Sequence, residues 1–154
     1  MVRSLLFVIV LLFGSVALAC DCASVGSPKE HVENTPIIAY GVNTTARVLT
    51  TSEQDALFPD ESGFLSEPLA VATFKVEIAI KGAKTGDLLT VYYDVSGTDC
   101  SMAPTVGRHF YLFADEIRGK YFTFSCSYES FVRDGRLNEY LVLFEELSGY
   151  DFSR

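Results

Sequence analysis

Imidazole is scarce in this chain: His31 and His109 are its only histidines. A Gly-x-Ser-x-Gly elbow, a His-Glu-x-x-His helix and a glycine-rich phosphate loop are all missing, which excludes the common nucleophile, zinc-hydrolase and nucleotide motifs. His109 alternates with aromatics in a strand pattern, so a packed or surface histidine is the simpler reading than a general base. The paired carboxylates Asp60-Glu61 and Glu145-Glu146 fall on loop and helix surfaces, where solvated charge is the ordinary outcome. Neither an enzyme nor a cofactor is expected.

Positive charge is also short, with 12 Lys and Arg against 20 Asp and Glu. With no basic stripe to offset the acidity, the chain repels phosphate backbones and anionic lipid heads, so nucleic acid is not an expected partner. Internal repeats, low-complexity tracts and a second domain are absent from the pattern. The leading apolar run, Leu5 to Phe13, falls well short of the ~20 residues a spanning helix needs. No later segment is better, so no membrane span is expected.

What the leader does have is the order of a secretory signal: basic Arg3, that apolar core, Gly14-Ser15 as a helix breaker, then Ala17-Leu18-Ala19 as a cleavage site. Residues 1–19 are read as a signal peptide, and residues 20–154 as one exported domain beginning Cys20-Asp21-Cys22. Cleavage removes only Arg3 from the charge count, leaving 11 basic against 20 acidic residues, a net charge of −9. Such acidity reads first as a solubility device, with steering toward a basic partner as the alternative. The rival is a bacterial lipoprotein signal, with a lipid anchor on the sulfur of Cys20. That would leave three cysteines in an oxidising compartment, and Ala17 stands where the lipoprotein box usually has leucine. The expected protein is a secreted monomer, or a periplasmic or cell-envelope one if the source is bacterial.

Cys20 and Cys22 lie too close together to bond each other without strain, so they reach Cys100 and Cys126, one each. The chain-entropy model assigns such long loops roughly 4 to 5 kcal/mol per bridge. A four-thiolate zinc site is the rival, but it usually needs close Cys-x-x-Cys pairs, which the spacing of Cys100 and Cys126 does not supply. Asn43-Thr44-Thr45 is an N-glycosylation sequon, relevant if the source is eukaryotic.

Ser27-Pro28-Lys29-Glu30 is a capping box with proline at the first helical position, predicting a short helix to about Asn34. A strand follows from Pro36 toward Leu49, with Gly41 as a bulge or bend. Residues 50–68 read as a long acidic loop, either a binding element or a solvated insertion. Phe74, Val76, Ile78 and Ile80 alternate with polar residues on the next strand. Leu89, Val91, Tyr93 and Val95 make the inward row of a third. Arg108–Ala114 is a fourth strand. Beyond the Arg118-Gly119-Lys120 turn comes a fifth, with Phe122, Phe124 and Cys126 on its core side. Leu137, Tyr140, Leu141, Phe144 and Leu147 have helical spacing. The sum is an all-β chain with minor helices: a five-stranded Greek-key barrel of the OB type, a short N-terminal helix and a C-terminal helix.

Taken together, residues 20–126 resemble the netrin-like domains, which include the inhibitory domain of tissue inhibitors of metalloproteinases. The resemblance rests on Cys20-x-Cys22, Phe74-x-Val76 with Lys81-Gly82, Cys100, Val106-Gly107-x-x-Phe110 with Phe113-Ala114, and Cys126. It implies an OB barrel and the pairings Cys20–Cys100 and Cys22–Cys126. It further implies that the amine and carbonyl of Cys20 chelate the catalytic zinc of a partner metalloproteinase, with no metal held by the chain itself. Asp21 would enter the partner's specificity pocket, flanked by Cys22, Ala23, Thr98 and Asp99. The chain departs from those inhibitors in placing Asp21 where they carry threonine or serine, and in lacking their third disulfide and C-terminal domain. The alternative it leaves is an extracellular or cell-envelope binding or structural module that inhibits nothing.

Overall fold

A computed structural model describes residues 26–59, 68–97, 101–126 and 136–152. Their elements are α1 (Pro28–Asn34), β1 (Ile37–Val48), α2 (Thr51–Leu57), β2 (Leu69–Lys81), β3 (Leu88–Asp94), β4 (His109–Ile117), β5 (Lys120–Thr123) and α3 (Leu137–Ser148). The strands close in the order β1-β2-β3-β5-β4. Every pairing is antiparallel except β3 with β5, which is parallel. The chain is an all-β barrel of the OB kind with minor helices, as the strand pattern predicts.

The barrel interior is filled by alternate residues of each strand: Ile37 and Ala39 of β1, Ala70, Ala72, Phe74 and Val76 of β2, Val91 and Tyr93 of β3, Leu112 and Ala114 of β4. A second cluster lies outside the wall beneath the two terminal helices, where Ile38, Ile80 and Phe113 meet Val32 of α1 and Tyr140 and Phe144 of α3. The third joins Leu49, Phe58, Leu69 and Phe122 at the ends of α2.

Two predicted faces come out differently. Gly41 pairs with Val76 and Tyr40 with Ile78, so Glu77 is an extra residue on β2. That bulge reverses the alternation: Phe74 and Val76 point into the barrel, while Ile80 points out to the helices. On β5 it is Tyr121 that packs on the interior, whereas Phe122 joins the outer cluster and Phe124 is exposed. Parallel pairing with β3 sets this face, since Val91 pairs with Tyr121 and Tyr93 with Thr123.

The region read as an acidic loop contains a helix. Thr50 caps α2 by accepting from Glu53 N, and the Glu53 carboxylate returns to Thr50 N at 2.8 Å. Arg47 grips the same carboxylate with two bonds of 2.9 and 2.7 Å. α1 uses the predicted box, Ser27 with Glu30, and ends where Thr35 N bonds the His31 carbonyl. α3 buries Tyr140 and Phe144, leaves Leu137 and Leu147 exposed, and stops at Gly149 in the left-handed region. Gly41 is required by proximity: an added Cβ would collide with the Lys75 carbonyl oxygen. Among the described residues, no helix is long and apolar enough to cross a membrane.

Candidate functional site

Cys20, Asp21, Cys22, Ala23, Thr98, Asp99 and Cys100 lie outside the described residues. Their surroundings at one rim are defined. Because β3 and β5 run parallel, their C-terminal ends leave the barrel at the same rim. There Ser96 N donates to the Asp94 side chain at 2.9 Å and Met102 N to the Asp94 carbonyl at 2.8 Å, so both flanks of residues 98–100 are tied to the end of β3. Cys126 follows β5 by three residues, is half-buried and is disulfide-bonded.

The interior carries a polar pair. Asn43 and Tyr93 are fully buried, and the Tyr93 hydroxyl donates to Asn43 Oδ1 at 3.1 Å. Burial pushes the Tyr93 phenol up to about 12, against the opposing effect of its bond to Asn43. Asn43 Nδ2 has no hydrogen-bond partner. Asn43 is also the asparagine of the sequon. The amide nitrogen that would carry a glycan is inside the barrel, so glycosyl transfer to the folded chain is sterically closed. The alternation of β1 turned this polar side chain inward, next to a tyrosine able to satisfy half of it.

The histidines have distinct settings. His31, inside the helix predicted to run to about Asn34, is buried between α1, β4 and α3. It stacks on Phe113 at 5.1 Å, and its Nδ1 lies 2.8 Å from the Tyr140 hydroxyl. Desolvation lowers its pKa, partly opposed by Asp115, whose own pKa burial raises. A histidine four residues after the cap serine, next to the buried Val32, is the signal the sequence offers. His109 is at the surface as expected, with Nε2 3.0 Å from Glu77 and its ring stacked on Tyr40. Among the described residues, no group of three metal-ligating side chains converges. Glu145 accepts from Phe152 N at 3.1 Å, a capping role for one of the paired carboxylates.

Two shallow clefts are formed by described residues. One, of about 370 Å³, lies between α1 and α3 and is lined by Pro28, Val142 and Leu143. The other, of about 390 Å³, opens where β3 outruns β5, between Leu88, Tyr92, Lys120 and Tyr121. Lys29 and Glu139 also line the first. In comparisons with known proteins, no family model, curated protein or solved structure matches the chain.

Proposed function

We propose that the chain is a secreted, disulfide-tied binding module of the netrin-like kind, which presents the mature Cys20 amine and carbonyl to the active-site zinc of a partner metalloproteinase. The observation that carries the reading is the parallel β3–β5 pair, which brings the flank of Cys100 and the bonded Cys126 to one rim of the barrel. From Gly26, the first described residue, back to Cys20 is six residues, a reach of about 20 Å when extended. Bridges from Cys20 and Cys22 to that rim would fix the terminus. An amine nitrogen and carbonyl oxygen on one residue form a five-membered chelate, and a fixed terminus binds without the entropy cost of ordering it. The proposal gives the chain no catalytic residue.

A second reading is favoured by Asp21. Burying its carboxylate in an apolar specificity pocket without a partner would cost several kcal/mol, so the same fixed terminus could serve a module that binds another extracellular protein. One experiment separates the readings. The exported protein is assayed against a panel of zinc proteases with its α-amine free, acetylated, or extended by one alanine. Inhibition by the free form alone supports the first reading. Full inhibition by a blocked form, or none by any form, rejects it.

A further inference from the structure

Five rings run in contact across the outer face of β1 and β4 and onto the chain that follows α3. Tyr40 and Tyr111 are cross-strand partners with ring centroids 5.0 Å apart. His109 stacks on Tyr40 at 5.9 Å. On the other side Tyr111 meets Phe152 at 6.0 Å, and Phe152 meets Tyr150 at 5.0 Å. Tyr40, Tyr111 and Phe152 are half-buried, which fixes their rings against the wall. Exposure is highest at the ends, 48% for the His109 side chain and 50% for Tyr150.

Carboxylates border the stripe at both ends. Glu77, the extra residue of the β2 bulge, reaches His109. Glu145 caps the backbone at Phe152, and Asp151 lies between the two terminal rings in sequence. Aromatic faces carry the negative lobe of the ring quadrupole and attract cations, guanidinium most readily because it is planar and weakly hydrated. Fixed tyrosines also offer contact area at low entropic cost. The charge of the whole chain then selects among occupants. With 20 acidic residues against 12 basic, or 11 once Arg3 is removed with the leader, it repels a second copy of itself and an anionic membrane, and it draws in a cationic segment.

We propose that this stripe docks an arginine-rich segment of a protein partner, with a guanidinium plane on the half-exposed ring of Tyr150, a charge pair to Glu77, and Tyr40 and Tyr111 as the platform between them. The site is independent of the Cys20 terminus, so it stands or falls without the inhibitory reading.

The probe is a deca-arginine peptide, with deca-lysine of equal charge as its control, titrated calorimetrically into the purified protein at low and moderate salt. The arginine peptide binds more tightly than the lysine peptide. Tyr150→Ala, at a half-exposed site that tolerates truncation, weakens arginine binding about two- to five-fold with no change in net charge. Tyr40→Leu, which keeps the buried volume but loses the ring, does the same, and Glu77→Gln lowers both the affinity and its salt dependence. Thermal melts check that each variant is folded, and if Tyr40→Leu is not, Tyr150→Ala decides. Equal binding of the two peptides with wild-type affinity in Tyr150→Ala would reduce the attraction to net charge and overturn the proposal. Self-association abolished by Tyr150→Ala, or binding to phosphatidylserine vesicles through these rings, would assign the face to another occupant and overturn it as well.

Discussion

The oxygen of Tyr93 is the best single-atom probe of the barrel interior. Its hydroxyl makes the one side-chain bond that Asn43 has, at 3.1 Å, and both side chains are fully buried. Tyr93→Phe deletes the donor and leaves the whole Asn43 amide without a partner, at a cost of about 1–3 kcal/mol for an unsatisfied buried polar group. Asn43→Leu has two opposing effects. It removes an amide nitrogen that is already unpartnered, but it strands the Tyr93 hydroxyl, so its net cost lies below that of Tyr93→Phe. The double variant, Asn43→Leu with Tyr93→Phe, leaves no buried polar group in either position. Replacing both members of such a pair by apolar groups of similar shape is close to neutral. The double variant is therefore more stable than Tyr93→Phe alone, by about 1–3 kcal/mol on a total of about 5–15 kcal/mol for a domain. Urea unfolding followed by far-UV circular dichroism, with equal m-values, measures all four corners of the cycle. If the two single costs simply add in the double variant, the pair is not coupled through burial, and the account of the interior is wrong. An ultraviolet titration gives a separate check, since the Tyr93 phenol ionises near 12.

Gly41→Ala sets a Cβ against the Lys75 carbonyl oxygen at the β1–β2 bulge. Because the obstacle is backbone, the cost is about 3 kcal/mol, the upper end for overpacking, and a melting temperature equal to wild type would refute the close approach. His31 has a lowered pKa in the fold, so the unfolded chain binds its proton more readily. Its stabilising contribution is complete above the ordinary value of 6.5 and is lost as pH falls through the lower folded value. Asp115, with a raised pKa, acts in the opposite sense, its penalty being relieved as it protonates. His31→Gln should flatten the stability profile on the acid side of 6.5 in urea melts at stepped pH; an unchanged slope there would contradict the buried setting. Thr50→Ala removes the cap of α2 and costs about 1 kcal/mol. No loss in the same assay would mean that the Arg47–Glu53 fork holds the helix unaided.

Where local chemistry decides the outcome, the sequence is readable. The Ser27–Glu30 box starts α1 where predicted, the Leu89, Val91, Tyr93 row faces inward on β3, and Tyr140 and Phe144 anchor α3. The misreadings arise where a long-range pairing overrides local pattern. The Glu77 bulge exists because β1 and β2 must bend to close the barrel, and nothing in the alternating run from Phe74 to Ile80 announces it. The face of β5 is chosen by its parallel neighbour rather than by its own phenylalanines. α2 is a different kind of miss, since Thr50-x-x-Glu53 is the same capping box as in α1, hidden by a pattern judged on its acidity. Asn43 sits in a run of small polar residues that looks like surface. Only closure of the barrel puts it beside Tyr93. Of the Cys20 site, the sequence supplies the residues, and the barrel supplies the rim to which Cys126 and the flanks of residues 98–100 belong.

The most direct test of the exported, disulfide-tied terminus is the intact mass of the exported protein, followed by non-reducing peptide mapping. The account predicts the mass of residues 20–154 with every thiol oxidised, a free α-amine on Cys20, and cross-linked peptides joining Cys20 to Cys100 and Cys22 to Cys126. A diacylglyceryl adduct on Cys20, retention of residues 1–19, or a bridge from Cys126 to any cysteine other than Cys22 would contradict it.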